Sequence, residues 1–116
     1  MMDLNLTFSL LTGLAAACPD GFTVDKNTME PITAGYSVAV AETQNSFDAA
    51  GAARVIAYAN KHPEINALGG WYNSKNNKFY FDAVIIVNTL EEAVELGRAN
   101  DQLAVFNINT LEEIEL

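Results

Sequence analysis

An α+β fold with one antiparallel sheet is what this sequence predicts, on three features. From Tyr36 to Asn107 the elements read strand, helix, strand, strand, helix, strand, the order of the split βαβ or ferredoxin-like arrangement. Ala83 to Val87 is apolar at every position, which marks a strand covered on both faces. The third strand is central in that arrangement. The chain has 116 residues, and 50% are apolar, the size and composition of one globular domain. The expectation is a single α+β domain over residues 1–116. An N-terminal helix occupies 1–20, a ferredoxin-like core 36–107, and short hairpins the edges.

Each element has its own signal. Leu4, Phe8, Leu11 and Ala15 recur at helical spacing, widened by Leu10 and Leu14, so 4–17 reads as a helix. Gly13 weakens it, and Pro19-Asp20-Gly21 stops it. Phe22 to Val24 reads as a short strand and Asp25 to Thr28 as a turn. Pro31 to Thr33 can return as an edge, where proline is tolerated. Tyr36 to Ala41 is a strand with one small face, Ser37, Ala39 and Ala41. Ser46 is placed to cap a helix from Phe47 to Lys61. Its inward stripe is Ala52, Val55, Ile56 and Ala59, and Pro63 ends it. Leu68–Tyr72 and Lys78–Val87 form a hairpin around Asn73 to Asn77. Thr89 and Glu92 have capping-box spacing, opening a helix whose buried stripe is Leu90, Ala93, Val94 and Gly97. Leu103 to Phe106 is the last core strand, and Ile114 to Leu116 can pair back on it. Residues 24–30 and 106–112 echo one another, and read as two turns of the same Asn-Thr chemistry.

Charge narrows the partners. Fifteen acids against six bases give −9, a field that repels phosphate backbones and anionic lipid. The expectation is no nucleic-acid partner and no membrane partner. Cys18 is the single cysteine, which excludes an internal disulfide and fits a reducing, cytoplasmic setting. The run Leu14-Ala15-Ala16-Ala17-Cys18 has the outline of a lipoprotein cleavage site. However, no Lys or Arg precedes it, and Asp3 stands where a signal peptide needs positive charge.

Gly21-Phe22-Thr23-Val24, Glu42 through Phe47, Gly69-Gly70-Trp71 with Tyr80-Phe81-Asp82, and Glu91 through Asn100 together resemble small acidic proteins of Bacteroides-type gut bacteria and their phages and mobile elements. The resemblance implies an accessory role in such an element. It implies no activity and no catalytic residues.

The candidate residues each have a plain structural reading beside the functional one. His62 is the only histidine, too few ligands for an ordinary zinc site, and beside Pro63 it reads as a helix-end residue. Cys18 has no base nearby and reads as a small hydrophobe. Gly69 and Gly70 before Trp71 allow close approach of a ligand or of backbone. Trp71, Tyr72, Phe79, Tyr80 and Phe81 cluster on the hairpin. With only Lys75 and Lys78 beside them they suit core packing or a protein interface better than base stacking. Asp82 is a carboxylate inside the most apolar strand, the best single candidate for a polar functional residue. Glu42, Gln44, Asn45 and Arg98 are further polar groups that a site could recruit. The acidic C-terminal third admits a DNA-mimic reading, but a solvated face accounts for it.

The reading is a non-enzymatic interaction protein that needs no cofactor and no metal, with a protein partner or itself as a homodimer. A small-molecule site at Gly70, Trp71, Tyr80 and Asp82 is the alternative, as is a small enzyme using Asp82, His62 or Glu42. A polar pocket at Asp82 favours the alternatives, and a flat apolar patch favours interaction. The sheet face left open by such a fold needs a cover, either the N-terminal helix or a second subunit.

Overall fold

The computed structural model describes residues 3–116. In chain order it holds α1 (Leu4–Ala17), β1 (Phe22–Asp25), β2 (Tyr36–Ala39), a 310 turn (Ala41–Thr43), β3 (Ser46–Phe47), α2 (Asp48–Lys61), β4 (Ala67–Asn73), β5 (Lys78–Val87), α3 (Leu90–Ala99), β6 (Ala104–Asn107) and β7 (Glu112–Glu115). The seven strands form one antiparallel sheet in the order β1-β4-β5-β2-β6-β7, with β3 beside β5. The fold is therefore α+β, with β2 and β5 interior. The sheet is larger than the four strands expected over 36–107, because β1 and β7 extend both edges and β3 adds a short piece.

All three helices lie on one face. Side chains alternate along a strand, and Phe79, Phe81, Ala83, Ile85 and Val87 of β5 point toward the helices. One core cluster joins Leu11 of α1 and Val55, Ile56 and Ala59 of α2 to Val24, Leu68, Phe81 and Ala83. A second joins Ala93 of α3 to Val38 and Val105. The N-terminal helix thus packs on α2 and on the helix side of the sheet. It does not cover the opposite face. Asp3 caps α1, its carboxylate accepting from the N–H groups of Asn5 and Leu6 at 2.9 and 3.1 Å.

Several local expectations are revised. Ser46 does not cap α2. It pairs with Phe81 as part of β3, and its hydroxyl donates to the Thr43 carbonyl at 2.7 Å. The strand pairing and the bond to Thr43 take the place of the expected cap. Arg54 then ties the 310 turn to α2 by donating to the carbonyls of Glu42 and Gln44. Pro31 makes only an isolated bridge to Val24, not a strand. The Thr89 hydroxyl accepts from Glu92 N–H and donates to the Glu92 carboxylate at 2.9 Å, so Glu92 reaches the side chain and not the Thr89 backbone N–H. Leu90, placed in the buried stripe of α3, is exposed.

The echo at 24–30 and 106–112 is a shared turn. Asp25 accepts from the N–H groups of Asn27 and Thr28, and Asn107 from those of Asn109 and Thr110. Met29 and Leu111, four residues after each acceptor, adopt positive φ of 62° and 58°.

From its bridge at the outer edge of β1, the chain must pass β4 and β5 to reach β2 within residues 31–36. Ala67 and Val84 point away from the helices yet are 0% and 3% exposed. With no helix there, the crossing segment is their cover. Trp71 and Phe106 stay exposed on that face, at 43% and 37%.

Candidate functional site

The helix-free face is built by strand alternation. Trp71 lies directly opposite Tyr80, and Tyr80 opposite Phe47, so one residue from each of β4, β5 and β3 forms a row. The Trp71 and Tyr80 rings stack with centroids 5.0 Å apart, and Phe47 meets Tyr80 edge-on at 4.6 Å. These are favourable arrangements for aromatic quadrupoles. Lys78 Nζ sits 4.4 Å from the Phe47 centroid as a cation–π contact. Trp71 remains 43% exposed.

Asp82 is the next residue of β5 on this face, opposite Gly69, which in turn faces Thr23. Burial pushes its carboxyl up to about 6, because a carboxylate taken from water without compensation favours its neutral form. Among the described residues no donor bonds to it, and its oxygens still reach solvent. Further along the face come Ala39, Ala104, Ile86 and an exposed Phe106. Glu113 pairs with Phe106 and Glu115 with Ala104, so both project from β7 on the same side.

The structure therefore brings Trp71, Tyr80 and Asp82 together on one face but sends Gly70 to the other. A Cβ on Gly70 would lie 2.7 Å from Phe79 and 2.8 Å from Phe22, so its role is close packing under the helices. Gly69 is the glycine beside Asp82. Phe47 escaped the sequence reading because a two-residue strand has no periodicity to reveal it.

Glu42 and His62 meet elsewhere, in a shallow cleft of about 210 Å3 between the 310 turn and α2, with Arg54, Tyr58 and Lys61. The His62 ring stacks on Tyr58 at 3.9 Å, and its Nδ1 is 3.3 Å from a Glu64 carboxylate oxygen. The Tyr58 hydroxyl is pushed up by burial and by the nearby charges of Glu42 and Glu64. His62 is also the C-cap of α2, and Lys26 Nζ donates to its carbonyl and to that of Ala59. Neither a cysteine nor a serine lines the cleft to serve as a nucleophile. Cys18 is half-buried just past the end of α1, and Arg98 lies on the surface of α3 beside Leu90 and Val94. Asp82 lines neither of these hollows.

Comparison with known proteins returns no relative. No family model matches the sequence, no curated protein matches it, and no solved structure matches the chain. The site therefore has to be read from its own chemistry. Among the described residues no group of three His, Cys, Asp or Glu side chains is arranged to hold a metal ion. No described helix is long and apolar enough to cross a membrane.

Proposed function

We propose that this protein is a non-enzymatic interaction protein that works through the helix-free face of its sheet, with a second copy of the chain as its partner. The observation that carries the reading is the exposed aromatic and apolar surface there. Trp71 and Phe106 are exposed there, at 43% and 37%, and the half-buried rings of Tyr80 and Phe47 pack beside Trp71 with no helix over them. Aromatic residues are enriched at interaction surfaces.

The order β4-β5-β2-β6 of the four inner strands, with α2 and α3 on one side, supports a ferredoxin-like unit extended at both edges. Such a unit has no helix on its second face. The lone thiol supports a reducing, cytoplasmic setting, and the charge of −9 disfavours nucleic acid as partner. An accessory role in a phage or mobile element remains part of the proposal, on the sequence resemblance alone.

Trp71 is the only tryptophan, so its fluorescence reports this face directly. On dilution from high to low micromolar concentration, the emission should shift to the red as Trp71 enters water. Constant emission over that range, with sedimentation at the monomer mass throughout, would contradict the proposal.

A further inference from the structure

Asp82 is a half-buried carboxylate on the helix-free side, and among the described residues no group donates to it. Its row across the sheet is short of side chains. Gly69 lies directly opposite it, and Thr23 opposite Gly69. A Cβ on Gly69 would stand 4.0 Å from the Thr23 hydroxyl oxygen, so the carboxylate and the hydroxyl flank a gap over one glycine. Trp71 and Tyr80, two residues along β4 and β5, wall one side of that gap. The crossing segment over Ala67 and Val84 walls the other. The gap therefore offers two oxygen acceptors beside an exposed indole. A guanidinium matches that chemistry. It donates in several directions from one plane, pairs with carboxylates and stacks on aromatic rings.

The chain has two arginines. Arg54 commits its guanidinium to the carbonyls of Glu42 and Gln44. Arg98 is exposed near the end of α3, and among the described residues its guanidinium has no partner. An open hollow beside it is lined by Leu90 and Val94, with Glu91 and Glu95 at its rim.

We propose that Asp82 and Thr23 form a receiving site for Arg98 of a second copy, which enters the gap over Gly69 beside Trp71. Leu90 and Val94 of that copy then lie against Trp71, and its Glu91 and Glu95 come toward Lys78 and Lys75. This rests on the reading of the helix-free side as the surface where copies meet.

Spacing and charge support the arrangement. Lys78 and Asp82 are roughly 13 Å apart along β5 at about 3.3 Å per residue. Glu91 and Arg98 are roughly 10 Å apart along α3 at about 1.5 Å per residue, a mismatch that long side chains absorb. α3 ends at Ala99, one residue past Arg98. The docked helix thus needs only the strip from Lys78 to Asp82 and stops before the crossing segment. Each copy carries −9, so copies repel unless unlike charges meet, and here they meet at both ends of the helix. α3 and Asp82 lie on opposite sides of the sheet, so the contact is head-to-tail and each copy offers both halves of it. One helix on one strip of sheet is small beside the ~800 Å2 per partner of a standard interface, and the association is accordingly weak.

The test is sedimentation of the full chain at about pH 7.5 over a concentration series. Asp82→Arg alone and Arg98→Asp alone should each weaken association at least about tenfold, because each sets like charges against one another. An equimolar mixture of the two should associate again, since every contact in it then joins an acid to an arginine. A fault in folding would not be repaired by mixing. Should melts show that Asp82→Arg does not fold, Lys78→Glu mixed with the Glu91→Lys, Glu95→Lys double variant repeats the same logic at exposed positions. If the single variants associate like the wild type, or their mixture fails to recover, the pairing of Asp82 with Arg98 is wrong. If Trp71→Glu also leaves association intact, the reading of the helix-free side falls with it. If Trp71→Glu abolishes association while the charge variants do not, that reading stands and only the Arg98 site is overturned.

Discussion

Asp82 is the residue at which the fold works against its own stability. Its ordinary carboxyl value of 3.8 becomes about 6 in the folded chain. The folded state therefore holds a proton more tightly than the unfolded state. Stability from this group is fully present below about pH 4 and is lost as pH rises through about 6. At neutral pH the ionised carboxylate costs roughly 1–3 kcal/mol. Asp82→Asn should recover most of that at about pH 7.5, read as a higher midpoint in denaturant melts. The same melts at about pH 4 should show little difference. A variant less stable at neutral pH would mean that a partner inside the fold holds the carboxylate. The position was legible in the sequence because a lone acid inside Ala83–Val87 and its flanks stands out on an apolar background. Its neighbours were only half legible. Trp71 and Tyr80 were visible as aromatics in a hairpin, and register placed them opposite one another. Gly70 was misjudged for the same reason, since adjacent strand residues point to opposite faces.

Among the elements, α1 shows how far periodicity reaches. Its limits, Leu4 to Ala17, match the apolar spacing, but the stripe does not say which surface it will meet. Leu11 is 0% exposed in the core shared with α2, whereas Leu6 and Leu10 are 51% and 40% exposed. Leu11→Ala should therefore cost about 2–5 kcal/mol through the cavity it leaves. Leu10→Ser should change stability by less than about 0.5 kcal/mol, as exposed substitutions do. Thermal melts of the two variants check this. Equal losses would mean that α1 is seated differently. The strands were legible where they were long or alternating, as in β4 and β5. The 310 turn at Ala41–Thr43 and the strand Ser46–Phe47 were not. They depend on Arg54 and Ser46 bonding to carbonyls that only the folded chain brings near.

On the scale of the whole molecule, three helices share one side of a seven-stranded sheet, and the other side keeps Trp71 and Phe106 exposed. The order of elements announced a sheet with an open face, and left the N-terminal helix and a second subunit as rival covers. The structure removes the first rival by seating α1 on α2. Two apolar surfaces then compete as the place where copies meet: the helix-free face and the outer side of α1 with Leu6 and Leu10. Backbone amide NMR spectra recorded over a dilution series separate them, since each exposed residue has its own resonance. The account predicts concentration-dependent shifts at Trp71, Tyr80 and Asp82, with Leu6, Leu10 and Gly13 unmoved. Shifts confined to α1, or none at any concentration, would contradict it.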